Sequence, residues 1–234
     1  MPTSALASTL LERLSAAFEA SRDDERARSM AAYMRDQFPF MGIATPARVA
    51  IQRQVLAGLP SPDERDLVAV AVACWKRPER EYQYGACGYL RKHVGRCSPA
   101  FIGTAERLIT TKSWWDTVDE LAQSVVGALV ASHPQLRTTM HRWIDADDFW
   151  LARSAILHQN RCKARTDPEV LFDYCVRRAA DREFFVRKAI GWALREYSKT
   201  DAEAVMRFVR EHRNELSGLS RAEALKWLHR QGRA

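Results

Sequence analysis

Apolar residues recur at spacings of three and four along almost the whole 234-residue chain, and almost no stretch alternates with period two for long enough to make a strand. A chain with this pattern buries its apolar stripes as helices packed on helices, and about thirteen helices are predicted. Several helix starts are marked chemically. Thr45-Pro46, Ser98-Pro99 and Asp167-Pro168 each put a capping side chain before a proline suited to the first turn. Ser61-Pro62-Asp63-Glu64, Thr200 with Glu203, and Ser220 with Glu223 match the capping box, in which a hydroxyl residue is followed three positions later by Glu.

With only 10 Gly and 9 Pro, tight turns are few, and no Gly- or Ser-rich linker marks a domain boundary. Residues 1–234 therefore read as a single helical-repeat domain. Trp75, Trp114, Trp150, Trp192 and Trp227 recur at intervals of 39, 36, 42 and 35 residues, close to the length of a HEAT or armadillo helix pair. The expected architecture is an all-α solenoid of stacked antiparallel helix pairs whose concave groove is an extended binding surface.

Charge points to an acidic partner. The chain carries 36 Lys and Arg against 29 Asp and Glu, for a net charge of +7. Residues 151–199 hold eleven basic residues against six acidic ones, so this stretch accounts for five of the seven excess charges. Nucleic acid is the natural partner for such a surface, and a solvated basic face is the alternative. The cysteines (Cys74, Cys87, Cys97, Cys162, Cys175) are odd in number and widely spaced, which predicts reduced, mostly buried thiols. Glu12, Arg13 and Glu19 interrupt the first twenty residues, so no signal peptide or membrane span is expected, and a cytoplasmic monomer is the natural reading.

Two segments put aromatics outside the apolar seam. In a helix expected from about Ser113, Trp114, Val118, Leu121 and Val125 make the core stripe, whereas Trp115 and Asp119 lie on another, beside Asp116 and Glu120. From Glu183 to Lys199, Val186, Ile190, Ala193 or Leu194, and Tyr197 make the core stripe, while Lys188, Trp192, Arg195 and Lys199 line up at spacings of four, three and four. Cations interleaved with an indole suit a nucleic-acid backbone. Each Trp has a core role as its alternative, and Asp119 that of a solvated or salt-bridged carboxylate. The sequence shows no metal-ligand spacing, nucleophile elbow, phosphate loop or dinucleotide fingerprint, so neither metal nor nucleotide cofactor is expected.

The strings MAAYMRDQF (30–38), PEREYQ (78–83), TKSWWDTVD (111–119), WLARSAIL (150–157) and FFVRKAIGWALREYSKT (184–200) resemble, in this order, the AlkD-type alkylpurine DNA glycosylases. The resemblance implies a HEAT-like solenoid that cuts the N-glycosidic bond of N3- or N7-alkylated purines in double-stranded DNA. It implies Asp119 as the catalytic carboxylate, with Trp115, Trp192 and Tyr33 at the lesion sugar. Tyr33 also reads as a simple core aromatic. Arg153 would meet the DNA backbone together with the cations Arg161, Lys163, Lys188, Arg195 and Lys199. Two other readings fit the same sequence: a relative that binds DNA without excising a base, and a helical scaffold for protein partners.

Overall fold

A computed structural model describes residues 4–233, and every regular element among them is helical. Helices α1 (Ala5–Glu19), α2 (Asp24–Tyr33), α3 (Thr45–Val55), α4 (Glu64–Lys76) and α5 (Arg80–His93) lie in the first of two compact units, Met1–Thr104. Helix α6 (Ile102–Ile109) carries the chain into the second, Ala105–Ala234. There α7 (Trp115–Glu120) runs through a π-helical stretch, Leu121–Val126, into α8 (Gly127–Ser132) as one rod. Then follow α9 (Arg137–Ile144), α10 (Phe149–Leu157), α11 (Pro168–Arg177), α12 (Phe184–Ser198), α13 (Ala202–Glu211) and α14 (Gly218–Arg230). With the rod counted once, thirteen helices longer than a single 3-10 turn remain among the described residues, matching the expected number of about thirteen.

Helices begin where a short acceptor side chain on extended backbone meets the free amides of the first turn. Asp167 does so for α11, as the sequence suggested. Elsewhere the acceptor is a neighbour of the expected residue. Asp63 with Asp66 forms the box of α4 instead of Ser61 with Glu64, Asp201 replaces Thr200 at α13, and Ser217 replaces Ser220 at α14. Thr45 begins α3 without a side-chain cap, and the Ser98 hydroxyl donates to Glu64 at 3.1 Å.

In the first unit, α1 packs on α3 and α4, and α4 packs on α5. The PEREYQ segment is structural. The fully buried Glu81 carboxylate accepts the backbone N–H groups of Met41 (3.0 Å), Gly42 (2.9 Å) and Ile43 (3.1 Å). Gly42 is required there, because φ is +83° and a Cβ would stand 2.0 Å from the Asp23 carbonyl oxygen. Gln83 donates to the carbonyls of Cys74 and Arg77, tying α5 to the end of α4.

In the second unit, α9 packs on α10, α10 on α12 and the π-helical stretch, and α12 most extensively on α14. Two glycines permit close approach. A Cβ on Gly127 would lie 2.2 Å from the His158 carbonyl oxygen, and one on Gly191 2.5 Å from Glu223 Cβ. The cysteines are free thiols, four buried and Cys162 half-buried, and burial pushes Cys97 up to about 11 and Cys74 up to about 12. No helix among the described residues is long and apolar enough to cross a membrane.

Candidate active site

Helix α7 begins at Trp115, two residues later than expected, with Trp114 at the capping position on extended backbone (φ −158°). This start puts Val118, Leu121 and Val125 at full burial, as the apolar stripe requires. It also turns Asp119 inward. Asp119 is only 9% exposed, so the surface-carboxylate reading is corrected: this is a buried group that needs a partner.

Its partner is Arg153, 34 residues on in α10 and itself 3% exposed. Arg153 Nε donates to Asp119 Oδ1 at 2.7 Å and Nη2 donates to Oδ2 at 2.8 Å, a two-pronged pair. The remaining Nη1 donates to the Phe185 carbonyl. Arg153 is therefore not a surface cation waiting for a phosphate, because it is buried and three of its N–H groups go to Asp119 and the Phe185 carbonyl. Burial pushes the Asp119 carboxyl above the ordinary range and outweighs the opposing charge and hydrogen bonds of Arg153, and Asp116 adds a push upward. Acceptance at both oxygens from a permanently charged guanidinium favours the ionised form against that push.

Aromatic rings dry this pair. The Arg153 guanidinium lies 5.8 Å from the Phe185 ring centre, and Phe185 packs on Trp114 (5.1 Å) and Trp150 (4.9 Å). Phe149 stacks parallel to Phe185, with an interplanar angle of 4°. Behind Asp119 the helix is π-wound, and Gln123 Nε2 donates to the Asp119 carbonyl at 3.2 Å. Widened turns of this kind gather at functional sites because they re-aim side chains along a helix. Trp115 is half-buried at the head of the same helix.

A cleft of about 620 Å³ opens in the same unit. Gln123, Trp192, Arg161, Lys163 and Lys199 line it, so one Trp and three of the expected cations share one hollow. Asn160, which also lines it, buries an amide nitrogen without a hydrogen-bond partner. Arg161 pairs with Glu120 at 3.1 Å, and Lys199 with Glu196 at 2.7 Å. Lys188 and Arg195 do not line the cleft; both grip Glu223 of α14. Tyr33 ends α2 in the first unit, 73% exposed, so it is no core aromatic. Sequence reasoning missed Phe185, Gln123 and Glu223; Gln123 lies four residues after Asp119 and Phe185 seven before Trp192, helical spacings that could have found them, whereas no spacing ties Glu223 to α12. Among the described residues no three His, Cys, Asp or Glu side chains are grouped to hold a metal.

A family profile described as DNA alkylation repair enzyme matches residues 14–228 of the chain. The chain belongs to the DNA alkylation repair enzyme family. A solved structure described as a predicted DNA alkylation repair enzyme from Enterococcus faecalis is 34% identical, with a TM-score of 0.82, over 89% of this chain and 97% of that one. This relative shares the all-helical fold. No functionally curated protein matches the chain. The buried Asp119–Arg153 pair and the basic cleft thus belong to a DNA alkylation repair family member, and the surplus of positive charge in residues 151–199 fits a DNA substrate.

Proposed function

We propose that the protein is a monofunctional DNA glycosylase that hydrolyses the N-glycosidic bond of N3- or N7-alkylated purines in double-stranded DNA. It acts as a cytoplasmic monomer and needs no cofactor. The observation that carries this reading is the buried carboxylate of Asp119, clamped at both oxygens by Arg153 in a member of a DNA alkylation repair family.

Alkylation at N3 or N7 makes the purine a cation. Breaking its bond to C1′ releases a neutral base and moves positive charge onto the deoxyribose. A preorganised negative group beside that sugar stabilises the developing oxocarbenium character most, because its orientation costs nothing at the moment of reaction. Asp119 supplies this group and orients the attacking water. Trp115 and Trp192 pack against the lesion sugar, and cation–π attraction contributes about 0.5–2 kcal/mol as charge develops. Arg161, Lys163 and Lys199 meet backbone phosphates. Arg153 keeps Asp119 ionised and aimed.

The test is release of 7-methylguanine and 3-methyladenine from methylated duplex. Wild type is expected to release them, and Asp119→Asn to bind the duplex normally while losing about 100-fold or more in excision rate, the usual cost of removing a preorganised charge stabiliser. Binding by wild type without release would identify a non-catalytic relative instead.

A further inference from the structure

Glu223 is a buried carboxylate that the chemistry above does not use. Its side chain is 10% exposed, yet Lys188 Nζ stands 2.7 Å from Oε1, Arg195 donates to Oε2, and Lys226 Nζ lies 3.7 Å from Oε1. Burial alone would raise this carboxyl. The hydrogen bonds and charges of Lys188 and Arg195 outweigh that and hold it below the ordinary range. The contact is built into the backbone: Gly191 has no side chain, so Glu223 Cβ comes within 2.5 Å of where a Cβ would be, and Ser220 ties the same region by donating to the Arg187 carbonyl at 3.0 Å.

The two gripped cations bracket Trp192, with Lys188 four residues before it and Arg195 three after. We propose that Glu223 is a positioning residue that fixes Lys188, Trp192 and Arg195 as one rigid stripe for the lesion strand. This rests on the glycosylase reading of Trp192. Three cations share one carboxylate, so the cluster keeps two positive charges. Lys188 and Arg195 also keep donors that Glu223 does not occupy. Stripping both from Glu223 would leave a buried carboxylate with only Lys226, at 3.7 Å, as counter-charge, which is unfavourable. They therefore meet phosphate while still gripped, and Trp192 is held at a fixed height on α12.

Glu223→Gln separates this role from simple support of the fold. It adds one unit of positive charge beside the stripe and removes the grip. Duplex affinity at low salt should be retained or tightened, and its salt dependence should steepen. Single-turnover excision of 7-methylguanine, measured well below the melting temperature, should fall about tenfold as the sugar contact loses its preorganisation. A residue that only supported the fold would move neither salt slope nor excision rate under those conditions, and that result overturns the proposal. Should Glu223→Gln not fold, Glu223→Asp keeps the charge but shortens the reach; excision unchanged from wild type in that variant overturns it equally. Should wild type release no base, the glycosylase reading fails, and the salt slope of the Glu223 variants against wild type still decides whether the grip governs the stripe.

Discussion

Asp119 and Arg153 each satisfy what burial demands of the other, and their energetics are asymmetric. Removing the arginine leaves a desolvated carboxylate without a counter-charge, a change that typically costs about 3–5 kcal/mol. Arg153→Ala should lower the melting temperature and push the Asp119 carboxyl further up, because the group that pulls it down is gone. Excision needs the ionised form, so the acid limb of the pH–rate profile should move to higher pH in the variant. Unmoved limbs in wild type and Arg153→Ala would detach Asp119 from the titration. Sequence spacing singled out Asp119 beside Trp115 but not its burial, since the partner lies 34 residues away in another helix. Local patterns report which face a residue occupies on its own helix and are blind to what a second helix brings against it.

Among the elements, the rod from Trp115 to Ser132 depends on two departures from a regular α-helix: the π-wound middle and Gly127. Gly127 stands so near the C-terminal end of α10 that an added Cβ would overlap the His158 carbonyl oxygen at 2.2 Å. The listening end of that contact is backbone, which cannot swing aside. Gly127→Ala should destabilise the protein by about 1–3 kcal/mol, in the range of core overpacking, despite the better helix propensity of Ala. Denaturant midpoints of the two proteins measure it; a stabilised variant would show that α10 yields freely. The apolar periodicity made α12 legible almost to the residue, from an expected Glu183–Lys199 to an observed Phe184–Ser198. Capping was legible only to within a few residues, because Ser, Thr and Asp crowd each start and backbone geometry chooses among them. Glu223 shows the limit: it fits a capping box with Ser220 by spacing, yet its carboxylate goes to α12.

For the molecule as a whole, acid should unfold this protein through histidine as well as through its carboxylates. His158 is buried and accepts no charge easily: desolvation holds it down to about 4, below the ordinary 6.5, although its Nδ1 donates to the Ala155 carbonyl at 2.6 Å. Below 6.5 the unfolded chain takes up a proton that the folded chain refuses, so stability is lost as pH falls from 6.5 to about 4. The loss amounts to at most about 3 kcal/mol. Urea midpoints measured across that window should fall more steeply for wild type than for His158→Asn, and parallel curves would remove His158 from the linkage. At this scale the all-helical class was legible because helical periodicity repeats in nearly every segment. The Glu81 clasp was not, since nothing in a run of charged residues says which carboxylate will be swallowed by backbone amides. That clasp joins residues 38 to 40 positions apart in sequence, so its hydrogen bonds must offset the entropy of closing a loop that a covalent cross-link would keep closed even in the unfolded chain. Made of hydrogen bonds to a carboxylate in a chain whose thiols are all free, it gives the first unit a staple that no reductant can cut.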